Sequence, residues 1–525
     1  MRPKTLALCI LATLLLPACS LVFGGDRYTG GTSDDAGPTE TDAFVEPGTD
    51  ANLPGIDTGV PIDARAIPDA FEVACSESDP CASGSYCREA MCVTCDEDED
   101  GYADTDTPAS CVTSTVRAGD CGDPDAAMHP WALPDCMRAT TETCGTGVGL
   151  FSGDNYEAGY RHAGIVTGGA VRNLHVFPLA TMGRSIRVLV VFRTKTNPTP
   201  QYAVARFDPV GAVALDAMGE LPSWSVSGAL PTDSELAASR GADGLITVVT
   251  IDANEGNLSI YSASTMDGET WRLPVGERRI IGGVSGVSEI YAAGVTSDAF
   301  GAPAAVASFV ASGFARNYLL GVTTSHQEEV TTAWPVEPLA AHSGSGGVAF
   351  VDRSSFSLFR LWSGELGAGA RYAMIDSGSA MEGAYASHAD GTGRFGVVAA
   401  AAGSDRLQVA LWQCNASSCT TYSGMPSFTT SPTALSAEWL FSSAYMIAGR
   451  NFGGTLSLGA LDISDPATLA ITTRTFEDVG PAGWVATDVG GRVESIGGSG
   501  VATLAVAMTT DSGAELFVLR SCFSP

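Results

Sequence analysis

The chain has 525 residues and a formal net charge of −31, and a chain of this length is expected to form at least two folded units rather than one core. Most of the charge lies near the N-terminus, because residues 20–136 hold 25 acidic and 4 basic residues, a net charge of −21. The remainder is only mildly acidic. No basic face is available, which excludes nucleic acid as a partner.

The first residues predict export. A basic start is followed by an apolar run from Leu6 to Leu16, which is the pattern of a secretory signal peptide at residues 1–18. The run ends in Leu-Pro-Ala-Cys19, which resembles a bacterial lipobox and implies that Cys19 is lipidated and anchored to a membrane. Ser20 resembles an outer-membrane sorting residue. We therefore expect an outer-membrane lipoprotein at the cell surface or in the periplasm.

The next two segments lack the apolar residues of a core. Residues 19–74 are rich in Asp, Pro, Gly, Thr and Ala, which predicts an extended, acidic, disordered linker. Five cysteines then fall within residues 75–95, where disulfides are expected to substitute for a hydrophobic core. Zinc binding by Cys92 and Cys95 is the alternative, and the exported context favours disulfides.

Residues 96–144 begin with a candidate metal site. Aspartates occupy alternate positions along the run from Asp96 to Asp106, and a Gly-Tyr pair interrupts them as in the first half of an EF-hand loop. Thr107 stands where the closing glutamate of such a loop would be, so the site must be completed by Asp104, by Asp106 or by acids of residues 119–125. The alternative is an acidic stretch that only increases solubility. The candidate calcium ligands are Asp96, Asp98, Asp100, the Tyr102 carbonyl, Asp104, Asp106, Asp120, Asp123 and Asp125.

At these residues the chain resembles a family of bacterial metal-binding motifs typified by the copper-binding surface protein of MopE type, which is common in lipoproteins of myxobacteria-like organisms. The family pattern maps onto Asp96–Tyr102, Cys111 and Gly119–Asp125. Its closing Cys-rich element is only partly kept between Cys136 and Cys144. The resemblance implies a metal-binding segment, and copper near His129 is the weaker alternative to calcium.

Residues 145–525 are predicted to form an all-β domain. Short apolar or alternating runs separated by turn residues indicate strands, and they occur in seven pairs that start 44 to 59 residues apart. That period is typical of a β-propeller, so we predict seven blades, with six or eight as alternatives. The segment Ile165–Pro178 is expected to supply the outer strand of the last blade. The pairs begin near Ile186, Leu245, Glu289, Gly347, Phe395, Tyr445 and Val501.

Two cysteine pairs are candidates for disulfides in this domain. Cys144 precedes the first predicted strand and Cys522 follows the last, so a bridge between them would close the ring. Cys414 and Cys419 flank a predicted hairpin tip, and their pairing would be local.

The motifs of the β-domain favour binding over catalysis. Ser264–Trp271 resembles a shortened Asp-box, the hairpin turn of sialidase-like propellers, which implies a structural role. No histidine spacing or nucleophile motif identifies a catalytic residue. We predict a binding or scaffold module with an extracellular protein or glycan as partner. The alternative is an exported enzyme acting on glycans, which would require a compact set of acids and arginines around the propeller axis.

Overall fold

The computed structural model describes residues between 75 and 523, with gaps of which the longest is 137–156. The predicted signal peptide, Cys19 and the predicted acidic linker lie outside these residues. The described part consists of 32 strands and a short 3-10 helix, Ala109–Cys111, so the all-β prediction is confirmed. Within the described residues, no helix has the length and apolar character needed to cross a membrane.

Four short strands form two small sheets near the N-terminal end of the described residues. The first two form an antiparallel hairpin, and its turn residues Glu89 and Ala90 both have a positive φ, as tight two-residue hairpin turns require. The other two strands pair in parallel. The strands are β1 (Ser85–Arg88), β2 (Met91–Thr94), β3 (Tyr102–Asp104) and β4 (Arg117–Asp120).

Seven four-stranded antiparallel sheets make up the rest of the described chain. Sheet 1 contains β6 (Val171–Pro178), β7 (Ile186–Thr194), β8 (Gln201–Phe207) and β9 (Ala214–Glu220). Sheet 2 contains β10 (Glu235–Arg240), β11 (Ile246–Asn254), β12 (Asn257–Thr265) and β13 (Arg279–Ser285). Sheet 3 contains β14 (Val287–Ser297), β15 (Pro303–Ala311), β16 (Phe314–Gly321) and β17 (Gln327–Val330).

The remaining four sheets follow in chain order. Sheet 4 contains β18 (Glu337–Gly344), β19 (Gly347–Ser355), β20 (Leu358–Gly364) and β21 (Arg371–Asp376). Sheet 5 contains β22 (Ala380–Ser387), β23 (Arg394–Ala401), β24 (Leu407–Cys414) and β25 (Cys419–Gly424). Sheet 6 contains β26 (Ala434–Phe441), β27 (Ala444–Arg450), β28 (Leu456–Asp462) and β29 (Ile471–Phe476). Sheet 7 contains β30 (Val485–Ile496), β31 (Ser499–Thr509), β32 (Ala514–Phe523) and β5 (Glu157–Ile165).

Sheet 7 joins the two ends of the β-domain, since its fourth strand, β5, comes from the start of the domain. β32 pairs with β5 from Ala514–Ile165 to Cys522–Glu157. The predicted outer strand Ile165–Pro178 is therefore wrong in position, because most of that segment is β6, the first strand of sheet 1. Both strands are mixed in polarity, so the sequence pattern does not distinguish them.

Six of the seven predicted strand pairs correspond to the second and third strands of a sheet. The pair that begins near Glu289 instead corresponds to the first and second strands of sheet 3, β14 and β15. The third strand of that sheet, β16, contains Arg316 and Asn317 among its apolar residues, which weakens its strand pattern.

The sheets are arranged in a propeller-like way. The first strand of each sheet contacts the first strand of the next, and β30 of sheet 7 contacts β6 of sheet 1. Buried apolar side chains fill the space between neighbouring sheets, for example between sheets 1 and 2 and between sheets 6 and 7. Each large apolar side chain buried in this way contributes about 1.5–3 kcal/mol. The core is therefore divided among the sheet interfaces.

The junction between sheets 7 and 1 brings two backbones unusually close together. A Cβ atom built on Gly490 of β30 would lie 2.0 Å from the carbonyl oxygen of Val176 in β6 and 3.0 Å from Cδ of Pro178. Backbone atoms cannot move aside as the end of a side chain can. Only glycine therefore fits at position 490.

We expect Gly490→Ala to lower the free energy of unfolding by about 2–3 kcal/mol, because the added methyl group overlaps the β6 backbone. Gly424→Ala is the matched control, since its Cβ would lie 3.4 Å from Leu469, an ordinary contact, and its effect should stay within about 0.5 kcal/mol. Urea unfolding followed by tryptophan fluorescence measures both. Equal stability of the two variants would contradict the expectation.

Candidate functional site

The cysteine-rich segment is held together by disulfides, as predicted. The sulfur atoms of Cys75, Cys81 and Cys92 lie within 4.8 Å of one another, but all three are oxidised and offer no thiolate to a metal ion. Zinc binding by Cys92 and Cys95 is wrong because each is bonded to another cysteine. The three bridges of this segment are Cys75–Cys87, Cys81–Cys92 and Cys95–Cys111.

The candidate calcium motif is described only in part. Tyr102 begins β3, and Asp104 at the end of that strand pairs in parallel register with Asp120 at the end of β4. The backbone therefore brings the two acidic arms of the motif side by side. Asp96 directly follows Cys95, which is disulfide-bonded to Cys111. Of the other candidate ligands, those outside the described residues are Asp98, Asp100, Asp106, Asp123 and Asp125.

The segment after this motif is packed into the β-domain. Ala132 and Leu133 are fully buried, and Leu133 belongs to the apolar cluster that contains Leu174 of sheet 1 and Leu516 of sheet 7. Three residues further on, Cys136 is disulfide-bonded to Cys522. The N-terminal segment is thus fixed to the junction of the first and last sheets by both apolar and covalent contacts.

The predicted Cys144–Cys522 bridge is wrong, because Cys522 bonds Cys136 across 386 residues of sequence. Burial of Leu133 brings Cys136 to the end of β32, where the two Cα atoms are 5.4 Å apart. Cys144 lies outside the described residues. Cys414 and Cys419 are cross-strand partners in the β24–β25 ladder, and their bond stays a prediction.

The Asp-box segment forms a turn organised by Asp267. Its Oδ1 accepts hydrogen bonds from the backbone N–H of Glu269 at 2.9 Å and of Thr270 at 2.7 Å, and from the Thr265 hydroxyl at 3.1 Å. Desolvation raises the pKa of Asp267, but these hydrogen bonds outweigh it and lower the pKa to about 2. The carboxylate acts as the centre of the turn.

The end of this turn packs against sheet 1. The rings of Trp271 and Tyr202 lie 5.1 Å apart in a tilted arrangement. Gly268 has a φ of +78°, and a Cβ at this position would lie 2.8 Å from Cγ2 of Val204. The aromatic contact and the close approach join sheets 1 and 2, which is consistent with the structural role predicted for this motif.

A group of ionisable side chains lies where the first strands of sheets 6, 7, 1 and 2 meet. We name it the first-strand cluster, and it consists of His175 on β6, Arg240 on β10, Glu438 on β26 and Asp488 on β30. The sequence analysis did not identify Arg240, Glu438 or Asp488. Each lies on the strand that precedes an apolar strand pair, and a charged residue at this place in the repeat is the signal that would have found them.

Arg240 connects three sheets. Its Nη1 donates to the carbonyl oxygen of Gly491 in sheet 7 at 2.8 Å, and its Nη2 donates to the carbonyl oxygen of Pro178 in sheet 1. The guanidinium also lies 5.7 Å from the centre of the Phe177 ring, within cation–π range. Burial, reinforced by the charge of Arg492, lowers the pKa of Arg240 to about 10, although two glutamates oppose the change. Arg240 remains a cation near neutral pH.

Asp488 links sheet 7 to sheet 1. Its Oδ2 accepts the backbone N–H of Val176 at 2.8 Å and lies 3.8 Å from Nδ1 of His175. Desolvation raises the pKa of Asp488 to about 6, and His175 together with the N–H groups of Val176 and Val489 opposes the rise. About 29% of the side chain stays accessible, which limits the cost of its charge.

Glu438 links sheet 6 to sheet 7. Desolvation is the main reason that its pKa rises to about 8, and the nearby Asp488 carboxylate raises it further. Arg240 and a hydrogen bond with the backbone N–H of Gly491 act in the opposite direction but do not cancel the rise. Glu438 is therefore the carboxyl group of this cluster whose raised pKa favours the protonated form at neutral pH. Gly491 contacts both Glu438 and Arg240 through its peptide groups.

Further polar contacts continue the cluster along β6 and β10. Nδ2 of Asn173 donates to Oε2 of Glu235 at 3.1 Å, and Nη2 of the buried Arg193 donates to Oδ1 of Asn173 at 2.8 Å. Nε2 of His175 lies 3.4 Å from the carbonyl oxygen of Leu236. These contacts join sheets 1 and 2. The cluster thus combines inter-sheet hydrogen bonds with two carboxylates of raised pKa.

No protein-family model matches the chain, and no curated protein matches it. Among solved structures, a fucose-recognising, six-bladed β-propeller lectin of Aleuria aurantia is similar at 15% identity, with a TM-score of 0.36, over 61% of this chain and 99% of that one. AofleA of Arthrobotrys oligospora is similar at 10% identity, with a TM-score of 0.34, over 63% of this chain and 93% of that one. YCF48 of Cyanidioschyzon merolae is similar at 14% identity, with a TM-score of 0.32, over 56% of this chain and 97% of that one.

We expect Asp267→Ala to lower the free energy of unfolding by about 1–2 kcal/mol, because three donors of the turn lose their acceptor. The loss should shrink as the pH falls from about 4 to about 2, since protonation of Asp267 weakens the same bonds in the unmodified protein. Urea unfolding over this pH range measures the difference. Met266→Ala, at the exposed neighbouring position, is the control and should change stability by less than about 0.5 kcal/mol.

Proposed function

We propose that this chain is an exported outer-membrane lipoprotein in which a calcium-ordered neck carries a seven-bladed β-propeller that binds an extracellular glycan or protein. The neck is the segment 75–136. Each of the seven sheets would be one blade, and the first-strand cluster would lie along the propeller axis. The seven sheets and the unbroken series of contacts between their first strands support this blade number.

The observation that carries the proposal is the attachment of the neck to the propeller. The neck has its own disulfides, while Leu133 is buried between sheets 1 and 7 and Cys136 is bonded to Cys522. Disulfides persist mainly in oxidising, extracytoplasmic compartments, which supports export. A rigid connection of this kind suits a protein that displays its ligand-binding face at a distance from a membrane anchor.

The paired strands β3 and β4 support calcium in the neck. Their parallel register places Asp104 beside Asp120, so acids that are distant in sequence converge at one edge. Hard cations bind several carboxylate and carbonyl oxygens, and a bound ion would offset the repulsion between these acids. The Cys95–Cys111 bridge closes the loop that carries the first arm of the motif. Calcium binding would therefore order a segment whose described apolar core is small.

The first-strand cluster favours binding over hydrolysis. It gathers two acids and one arginine, whereas a glycan-acting enzyme would need a compact set of acids and arginines. In addition, Arg240 donates to two backbone carbonyl groups, and Asp488 accepts a backbone N–H of the neighbouring sheet. These groups hold the sheets together, so the ligand of the proposed module would bind at the loops around the axis.

Calcium binding by the neck can be measured on the mature chain with isothermal titration calorimetry and limited proteolysis. We expect calcium to protect the neck from cleavage and a chelator to abolish the protection. Asp104→Asn and Asp120→Asn should each weaken calcium binding about tenfold or more, whereas Glu329→Gln, in sheet 3, should not. If calcium produces no heat of binding and does not change the cleavage of the neck, the proposed calcium site is contradicted.

Ligand binding can be tested by applying the fluorescently labelled mature chain to glycan arrays and to extracellular proteins of the same source. We expect retention on a restricted set of ligands, with the bound glycans chemically unchanged after incubation. Mass spectrometry of the array products provides the check. Shortened or modified glycans would instead favour the enzyme alternative.

A further inference from the structure

The most exposed large apolar side chain of the described residues is Phe314, at the start of β16. Its accessible fraction is 71%. The other exposed large apolar side chains in the described part of the chain are methionines and a valine, so Phe314 is the one aromatic ring among them. Single exposed apolar residues are common on protein surfaces. The polar groups around Phe314 are what distinguish it from the others.

Phe314 belongs to a face of β16 that runs from the core to the surface. Alternate residues of a strand lie on the same face, so Phe314 shares it with Arg316, Tyr318 and Leu320. Tyr318 and Leu320 are buried in the apolar cluster between sheets 2 and 3, whereas the Arg316 side chain is 38% accessible. Sheet 2 therefore covers one end of this face and leaves the hairpin end open.

Three polar side chains meet beside the open end. The Tyr318 hydroxyl donates to Oε2 of Glu329 on β17 at 3.2 Å, and Nη1 of Arg316 lies 3.4 Å from that hydroxyl and 3.5 Å from Oε2. The two contacts of Arg316 are long for hydrogen bonds. Within the described residues, Nε and Nη2 of Arg316 and Oε1 of Glu329 make no hydrogen bond. We name Phe314, Arg316, Tyr318 and Glu329 the sheet 3 patch.

The hairpin that carries Phe314 is held in place by backbone and ring contacts. Both residues of its turn have a positive φ, as a two-residue hairpin turn requires. One of them, Ser312, donates its backbone N–H to the carbonyl oxygen of Gly286, between sheets 2 and 3, at 2.8 Å. The Tyr318 ring packs on the buried Phe309 with 5.5 Å between the ring centres. The patch is thus ordered in advance, which reduces the entropy lost when a ligand binds.

We propose that the sheet 3 patch binds one ring of a neutral saccharide. The accessible Phe314 ring offers an apolar surface on which the C–H groups of a sugar ring can pack. Arg316 offers only donors and the Glu329 carboxylate only acceptors. Neighbouring hydroxyl groups of a sugar both donate and accept, so they satisfy both side chains. The site lies on the third and fourth strands of sheet 3, apart from the loops around the axis.

The charges of the patch favour a ligand without net charge. Arg316 and Glu329 are opposite in charge, and their nearest nitrogen and oxygen atoms are 3.5 Å apart. An anion that approached Arg316 would be repelled by Glu329, and a cation that approached Glu329 would be repelled by Arg316. An apolar peptide would cover both side chains without pairing their remaining donors and acceptors. A neutral ring rich in hydroxyl groups avoids both penalties.

The test uses the mature chain with its disulfides intact. Binding is measured by saturation-transfer NMR titration with the methyl glycosides of glucose, galactose, mannose and N-acetylglucosamine. A small open site with few hydrogen bonds predicts a Kd on the order of 1 mM for a single ring. We expect at least one of these neutral glycosides to bind in this range. Circular dichroism and urea unfolding verify that each variant below is folded.

Two substitutions address the apolar surface and the donors separately. Phe314→Ala should weaken the binding of the best glycoside about tenfold or more, because the sugar loses its packing surface. Arg316→Lys keeps the charge but removes the planar set of donors, and should weaken binding about fivefold. The matched controls are Met425→Ala, at another exposed apolar position, and Arg206→Lys, at an arginine of similar exposure on sheet 1. Both controls should bind like the unmodified protein.

Glu329→Gln tests the preference for a neutral ligand. In the unmodified protein, a neutral glycoside should bind more tightly than its uronic acid counterpart, for example methyl glucoside against methyl glucuronide. The substitution removes the charge that repels the carboxylate, so the ratio of the two affinities should move toward the uronic acid by about fivefold. A purely structural role of Glu329 would change both affinities by the same factor.

The proposal is overturned if none of the neutral glycosides binds, or if the uronic acids bind the unmodified protein more tightly. It is also overturned if binding survives both Phe314→Ala and Arg316→Lys, which would place the ligand elsewhere and leave the proposed function of the propeller intact. Sedimentation provides one more outcome. If Phe314→Ala abolishes a dimer of the unmodified chain, the patch is an interface between copies and the saccharide site is wrong.

Discussion

The β-domain depends on the junction at which its last sheet meets its first. Gly490 brings the backbone of β30 so close to β6 that no side chain fits at that position. The same junction receives the end strand β5, the buried Leu133 and the Cys136–Cys522 bond. Each sheet packs only on its neighbours, so a gap at one junction would expose apolar surface on two sheets. Closure at this point therefore stabilises the whole series.

The charged side chains at this junction favour one alignment of the sheets, at some cost in stability. Buried polar groups are tolerated only when their hydrogen bonds are satisfied, and the main bonds of the first-strand cluster join different sheets. Arg240 can reach the carbonyl groups of Pro178 and Gly491 only when sheets 7, 1 and 2 are correctly aligned. Apolar packing alone would tolerate small rotations between the sheets. The cluster thus selects one alignment of the sheets.

The neck is stabilised by different forces. Its described apolar core is little more than Cys95, Ala103 and Cys111 with Tyr86 packed against it, which is too small to offset the entropy of ordering the segment. Disulfides therefore take the place of apolar packing. The neck also gains order from the β-domain, because Leu133 is buried among residues of sheets 1 and 7. A metal ion at the acidic strands would add to these constraints.

The sequence by itself determined the all-β class, the spacing of the strand pairs, the presence of disulfides in residues 75–95 and the Asp267 turn, because these features depend on residues that are close in the chain. It did not determine that Cys522 bonds Cys136, that β5 completes sheet 7, or that Arg240, Glu438 and Asp488 meet. Those residues are far apart in sequence, and no local pattern marks which of them come together. Only the tertiary structure decided these contacts, because closing the series of sheets brings distant first strands within hydrogen-bonding distance.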